Sequence, residues 1–316
     1  MFRPGTTPTI IENINFTLSN AGMGDCITAL VPINYVYKHF PWVNPIIWVP
    51  DYMVEFAKHV LPPKSIVKPY SKGKKEYNNE LSARMNEWKL HTAMRTHPVD
   101  HCYHMMLDIS PDIEHKNYLS IRPEEIDISR FSLPEKYVVI PLGATTKSKT
   151  LPIATLNSIA KYAKEKGYTP VFLGKKSSAT GYEDKTLTTK LVEADTTLGI
   201  DLTDKTSLLE SGAIIAGSKA IIGMEGGLVH LAGFTDTNII ASYTFVDPKV
   251  LAPYRNNSRT YKFFPIVPPE DLGCRFCQTN IQFLFNDFKE CLYSDYRCAT
   301  DMTFQYFKRY MDIVLC

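Results

Sequence analysis

The chain has 316 residues, of which 44% are hydrophobic, 12% aromatic and 22% charged, with a formal net charge of +2. This composition is typical of an ordinary soluble globular protein, and the near-neutral charge argues against both a nucleic-acid-binding and an acidic-surface protein. The length predicts two domains of roughly 150 residues each. Because the sequence shows no signal-peptide pattern and no run of roughly 18 apolar residues, we expect a cytoplasmic protein without a transmembrane segment.

The N-terminal third alternates strand and helix patterns. Strands are predicted in "IIENINFTLS", "NPIIWVP" and "KSIVKPYS", and helices in "DCITALVPINYVYKHF" and "MVEFAKHVL". Residues 72–95 are polar and lysine-rich and predict a loop or a mobile helix. Residues 110–135 are rich in proline and acids and predict a linker.

A second series of alternating elements follows the linker. Strands are predicted in "KYVVIPLG", "TPVFLG", "KAIIGM" and "NIIASYTF", and helices in "PIATLNSIAKYAKEKG", "SLLESGAIIAGS", "GLVHLAGF" and within 183–194. Short apolar strands that alternate with helices indicate βαβ units and parallel sheets. We therefore predict an α/β protein with a Rossmann-like domain over 1–133 and a second over 134–316, which includes a cysteine-bearing tail and the last helix.

Three turns carry residues that could do chemistry, because ligands bind beyond the carboxyl ends of parallel strands. In "AGMGDCITALVP", Asp25 follows two glycines where a strand gives way to a helix, so its simplest role is a helix cap. In "GATTKSKTLP", hydroxyls and lysines suit a phosphate, although a solvated loop would look the same. In "IIGMEGGLVHLAGF", glycines admit a ligand and Glu225 could bind sugar hydroxyls; alternatively Glu225 caps the helix and His230 belongs to the core.

The order and spacing of these motifs, together with "DLTDKTSLLESGAIIAGSKAIIGMEGGLVHLAGF" and "ASYTFVDP", resemble glycosyltransferase family 9, the ADP-heptose:lipopolysaccharide heptosyltransferases and their relatives. The resemblance covers nearly the whole chain. It implies the GT-B fold, in which two Rossmann-like domains with parallel sheets face each other across a cleft. It also implies inverting, metal-independent transfer from a nucleotide-diphosphate sugar resembling ADP-heptose to a hydroxyl of a saccharide or glycolipid, such as a lipopolysaccharide core.

The resemblance also assigns roles to individual residues. Asp25 becomes the general base, on an acceptor-side loop with Gly22 and Gly24, which keep the turn tight and leave room for substrate. The donor is held by a second group, whose lysine and hydroxyls contact the diphosphate: Thr145, Thr146, Lys149, Glu225, Gly226, Gly227 and His230.

Two departures from the family pattern lie in motifs expected near the donor. Glu225 stands where the family has aspartate and is followed by Gly226 in place of a hydroxyl residue, and Leu151 stands where the family has tryptophan. The sugar therefore need not be heptose, nor the base adenine.

Two alternatives stay open. The same chemistry could act on another acceptor, such as a phage DNA base or a protein, although a nucleic-acid partner is not favoured. A catalytically inactive GT-B protein that only binds saccharide or nucleotide is a further alternative, against which the presence of Asp25, Lys149 and His230 argues.

Four of the seven cysteines fall close together in the sequence with the spacing C-x2-C-x13-C-x6-C: Cys274, Cys277, Cys291 and Cys298. Four thiolates could hold a structural zinc or iron ion, and the opening C-x2-C is a usual metal knuckle. The second pair is wider than in common zinc ribbons, so reduced structural thiols are the alternative. No cofactor is expected for catalysis.

Overall fold

The computed structural model describes residues 12–17, 22–39, 42–70, 119–144, 146–175, 190–255, 262–277, 291 and 293–316. None of the helices within these ranges combines the length and the apolar character that crossing a bilayer requires. The prediction for 72–95 lies outside the described residues.

The first sheet has three parallel strands in the order β1–β2–β3. Its elements are β1 (Glu12–Thr17), α1 (Met23–His39), β2 (Val43–Val49), α2 (Val54–Val60) and β3 (Ile66–Pro69). The predicted strands and helices of this region are thereby confirmed. Parallel pairing puts the ends of β1 and β2 at the same edge of the sheet, so the turns that follow them are neighbours.

The start of α1 differs from the prediction. The helix begins at Met23, and the Cys26 N–H donates to the Gly22 carbonyl at 3.0 Å. Asp25 is therefore the third residue of the helix and not the residue before it, so the helix start predicted at Asp25 was wrong, and so was the alternative in which Asp25 only caps the helix. A carboxylate in the first turn still interacts favourably with the helix dipole.

Residues 119–135 were predicted to be a linker, and they pack closely against both neighbouring regions. The Ile121 N–H donates to the Phe234 carbonyl at 2.9 Å, and the Arg122 N–H donates to Nε2 of His59 at 3.0 Å. Phe234 follows a helix of the second series and His59 lies in α2. The segment is therefore hydrogen-bonded to both the N-terminal region and the second series.

The second sheet has six parallel strands in the order β11–β10–β9–β4–β6–β8. The strands are β4 (Tyr137–Pro141), β6 (Thr169–Leu173), β8 (Ile200–Asp201), β9 (Ala220–Met224), β10 (Asn238–Ser242) and β11 (Phe263–Ile266). Two short antiparallel strands are added, β5 (Gly143–Ala144) and β7 (Lys190–Leu191). The four strands predicted in this region are confirmed, but the helix predicted within 183–194 was wrong at 190–191; residues 183–189 lie outside the described residues.

Six helices of the second series lie within the described ranges: α3 (Ile153–Glu165), α4 (Leu208–Gly217), α5 (Gly227–Ala232), α6 (Pro248–Leu251), α7 (Arg297–Thr300) and α8 (Phe304–Val314). A capping box starts α4, in which Ser207 and Glu210 each accept a hydrogen bond from the other's backbone N–H. The last helix packs on α3, where the ring centres of Tyr162 and Phe304 lie 5.3 Å apart. Just before the last helix, the Met302 carbonyl accepts a hydrogen bond from the Thr155 hydroxyl at 2.9 Å.

The two sheets lie on either side of the predicted division at 133/134, which itself stays a prediction. One hydrophobic core extends from the first sheet into the second series and includes Phe16, Ile47, Ile214 and Tyr243. A second core fills the opposite face of the larger sheet, beneath α3 and α8. The shared core joins the two regions beside the turns that carry the candidate site.

Candidate active site

The turn at the start of α1 touches the turn at the start of α5. A Cβ atom on Gly24 would lie 3.0 Å from Cδ2 of His230, and one on Gly227 would lie 2.2 Å from Cε of Met23. The backbones themselves are close, since the Cβ atom on Gly227 would also lie 3.3 Å from the Gly24 nitrogen. The glycines therefore allow two motifs that are distant in sequence to form one site.

A buried ion pair lies on the α5 side of this site. Glu225 directly follows β9 and is only 4% exposed. Its Oε2 lies 2.6 Å from Nζ of Lys149, which comes from the short helical turn Lys147–Lys149 after β5. The Lys149 ammonium also lies 5.4 Å from the ring centre of Phe245. The predicted donor lysine and acid are thus brought together.

His230 holds the other oxygen of the same carboxylate. Its Nε2 lies 3.2 Å from Oε1 of Glu225, so the ring donates there to the carboxylate. Its Nδ1 is buried, and no described group lies within hydrogen-bonding distance of it. His230 is therefore neither a purely apolar core residue nor fully satisfied. A buried, unsatisfied polar atom is costly, and a bound ligand is one way to satisfy it.

The ion pair keeps Glu225 charged. Burial raises the pKa of its carboxyl, but the Lys149 ammonium and the His230 hydrogen bond together outweigh burial and lower the pKa to about 2. Beside it, burial and the Glu225 charge raise the pKa of Tyr243, whose buried hydroxyl has no hydrogen-bond partner in the described part of the chain. The site thus combines a permanent carboxylate with a phenol that stays protonated.

In the predicted diphosphate loop, the hydroxyl of Thr146 has no hydrogen-bond partner among the described residues. The Thr146 carbonyl accepts hydrogen bonds from the Lys149 N–H at 3.2 Å and from the Thr150 hydroxyl at 2.9 Å. Its own Oγ1 is buried and is bonded to none of the described residues. The Thr244 hydroxyl donates to the Ser148 carbonyl and ties this loop to the end of β10. Thr145 lies outside the described residues.

On the α1 side, Asp25 is half-buried beside a thiol and a phenol. Cys26 is fully buried and accepts a hydrogen bond from the hydroxyl of Tyr52, which follows β2. Burial and the charge of Asp25 both raise the pKa of Cys26 and of Tyr52, so these two neighbours stay neutral. The sequence analysis missed Tyr52; its position just after the carboxyl end of a predicted parallel strand was the available signal.

Leu151, at the position of the family tryptophan, contributes to the hydrophobic core. Its side chain is 1% exposed and packs in the cluster beneath α3. The side chain stabilises the fold, and its expected place near the donor stays a prediction.

The four cysteines of the tail lie near one another. Burial, followed by the neighbouring thiols of Cys277, Cys274 and Cys291, raises the pKa of Cys298 to about 12. Within the described ranges, no group of three or more potential ligand side chains is arranged to hold a metal ion. The tail also borders the predicted diphosphate loop, because Nζ of Lys147 lies 5.7 Å from the ring centre of Tyr296.

Solved structures share this architecture. The iron-containing dodecameric glycosyltransferase TibC from enterotoxigenic E. coli H10407 has a TM-score of 0.69 at 12% identity, over 96% of this chain and 76% of that chain. E. coli ADP-heptose lipopolysaccharide heptosyltransferase II has a TM-score of 0.63 at 14% identity, over 96% of this chain and 98% of that chain. The family 9 glycosyl transferase from Veillonella parvula DSM 2008 has a TM-score of 0.65 at 14% identity, over 98% of each chain. The fold class is therefore GT-B, that of nucleotide-sugar-dependent glycosyltransferases.

The sequence profile of glycosyltransferase family 9 (heptosyltransferase) matches residues 65–263, which is more than half of the chain. The chain belongs to this family and is a glycosyltransferase of the heptosyltransferase-like type. A search of curated proteins gave no match. The fold and the family expected from the motif series are thereby confirmed.

Proposed function

We propose that this protein transfers a sugar from a nucleotide-diphosphate donor to a hydroxyl of a saccharide acceptor, with inversion and without a catalytic metal. The observation that carries the proposal is the Lys149–Glu225–His230 cluster, which touches the turn that carries Asp25. TibC has been solved with ADP-D-β-D-heptose, which supports an ADP-heptose-like donor.

On the donor side, Lys149 neutralises the diphosphate, whose negative charge increases as the glycosidic bond breaks. The unused Thr146 hydroxyl donates to a phosphate oxygen, and Thr145 is proposed to do the same. Gly226 and Gly227 let the donor approach the backbone. The sugar hydroxyls bind Glu225 and the free nitrogen of His230.

On the acceptor side, Asp25 acts as the general base. It takes the proton of the acceptor hydroxyl as that oxygen forms a bond to the anomeric carbon. The bond to the leaving diphosphate breaks on the opposite face of the sugar, and its electron pair stays with the diphosphate. Cys26 and Tyr52 stay protonated, so they add no negative charge beside this carboxylate.

The proposed acceptor is a saccharide or glycolipid such as a lipopolysaccharide core, and the proposed compartment is the cytoplasm, where reduced thiols persist. The clustered cysteines stay a candidate site for structural zinc or iron, supported by the description of TibC as iron-containing. They take no part in the proposed transfer.

A thermal-shift screen of nucleoside diphosphates and their sugars tests this function. A ligand present at 100 times its dissociation constant stabilises the folded state by about 2.7 kcal/mol. We expect ADP-heptose or another diphosphate sugar to raise the melting temperature. If ADP, UDP, GDP, CDP and dTDP all fail, alone or as sugars, the transferase proposal is wrong. Binding without turnover on any saccharide would favour the inactive alternative.

A further inference from the structure

Glu225 forms an ion pair with Lys149, the cation that the diphosphate of the donor needs. Its two oxygens are engaged by Lys149 at 2.6 Å and by His230 at 3.2 Å. The proposed function gives Lys149 to the diphosphate of the ligand. A diphosphate that enters the site must therefore compete with the Glu225 carboxylate for the same ammonium group.

We propose that Glu225 makes the site prefer the nucleotide-diphosphate sugar over the nucleoside diphosphate that remains after transfer. The inference rests on the proposed function. While the sugar is bound, its hydroxyls donate to Glu225, and Lys149 is available to the diphosphate. Once the sugar has left, Glu225 recovers Lys149 and weakens the binding of the nucleoside diphosphate, which promotes its release.

Because Glu225 is buried, its carboxylate cannot give up Lys149 unless another hydrogen-bond donor takes the place of the ammonium group. The residue is 4% exposed, and the Lys149 side chain is 18% exposed, so water cannot readily replace either partner. A buried charge that loses its partner is strongly destabilised. A bound sugar can supply hydrogen-bond donors to Oε2, whereas a sugar-free nucleotide offers its phosphates, which are anions and repel the carboxylate.

Two further polar atoms in this part of the site lack hydrogen-bond partners within the described ranges. Nδ1 of His230 and the hydroxyl of Tyr243 are both buried and have no hydrogen-bond partner among the described residues. In the tautomer that donates from Nε2 to Glu225, neutral His230 can accept a hydrogen bond through Nδ1. Hydroxyl groups both donate and accept, so a sugar offers donors to Glu225 and to Nδ1, whereas a diphosphate only accepts hydrogen bonds.

Isothermal titration calorimetry on Glu225→Gln tests the inference. The probes are inorganic pyrophosphate, ADP and ADP-heptose, with ADP replaced by the nucleotide that the thermal-shift screen identifies. We expect pyrophosphate and the nucleoside diphosphate to bind on the order of tenfold more tightly than to the wild type, because Lys149 no longer has a competing anion. We expect the nucleotide sugar to bind no more tightly, so its preference over the nucleoside diphosphate shrinks by a similar factor.

Two further variants keep the test decisive. Glu225→Asp keeps the charge but shortens the reach to Lys149, so we expect a smaller change in the same direction, even if Glu225→Gln does not fold. Glu210→Gln is the matched control: it weakens an ion pair to Arg130 of 2.7 Å outside the site and keeps a residue that can serve in the capping box. We expect all three affinities to be unchanged in this control.

Equal changes for the nucleoside diphosphate and its sugar, or no tighter binding of pyrophosphate, would overturn the inference while the proposed function stands. A wild-type protein that binds no nucleotide in the screen would overturn both.

Discussion

One carboxylate lies on each side of the contact between α1 and α5, and the surroundings of the two differ. Glu225 is buried, paired with Lys149 and hydrogen-bonded by His230. Asp25 is half-buried, and the groups identified beside it, the Cys26 thiol and the Tyr52 phenol, are neutral.

This difference indicates which acid can accept a proton. A carboxylate that is held by a cation binds a proton only at very low pH, as the lowered pKa of Glu225 shows. Asp25 is not held in such an ion pair by any described residue, and we propose it as the acid that takes the proton of the acceptor hydroxyl. We therefore expect substitutions at the two positions to affect different measurements.

The largest effect is expected for Asp25→Asn. If Asp25 is the base, turnover falls by roughly two to four orders of magnitude, the usual contribution of a general base. Folding and donor binding stay close to those of the wild type, because the amide keeps the shape of the side chain. Turnover is measured as nucleoside diphosphate released in the presence of acceptor. Asp51→Asn, an exposed acid next to Tyr52, is the control, and near-normal turnover for Asp25→Asn would assign the base elsewhere.

An intermediate effect is expected when the loss of folding stability at low pH is compared between the wild type and Glu225→Gln. The folded-state pKa of Glu225 is about 2, below its ordinary value of 4.5, so the folded state binds fewer protons than the unfolded state between these values. The stabilisation is fully present above about pH 4.5 and is lost as the pH falls toward about 2. It amounts to about 3 kcal/mol.

Denaturant melts at several pH values measure this difference. The free energy of unfolding should fall more steeply with acid for the wild type than for Glu225→Gln. Parallel pH profiles for the two proteins would show that the Glu225 ion pair contributes no pH-dependent stability, and the contrast with Asp25 would then disappear.

The smallest effect is expected for Lys149→Ala in ligand binding. Because the ammonium serves the diphosphate while the sugar is bound, we expect affinity for the nucleotide-diphosphate sugar to fall by about tenfold and affinity for the nucleoside monophosphate to fall less. Calorimetry with both ligands checks this, after melting has shown that the variant folds. Lys147→Ala, on the same turn but exposed, is the matched control. Equal losses for both nucleotides would argue against the diphosphate role of Lys149.

Local sequence patterns were enough to predict most of the described elements. Apolar runs such as "YVVIP" form fully buried strands, as parallel strands covered on both faces do. The helix predicted in "SLLESGAIIAGS" forms α4, and the structure adds that Ser207 and Glu210 close a capping box at its start. The start of α1 was misplaced because the two glycines suggested that the turn extends to Asp25, whereas the helix already begins between them.

By itself, the sequence determined the parallel α/β architecture, the glycine-rich turns and the residue types that they carry, because these depend on neighbours in the chain. Only the tertiary structure decided which of these residues meet. The loop with Lys149 follows β4 and β5, and Glu225 follows β9; the two become partners because β4 and β9 are adjacent in the sheet. Strand order depends on how the crossover helices pack, and no local pattern records it. The same holds for Tyr52 beside Asp25, since the adjacency of β1 and β2 brings the turns after these strands together.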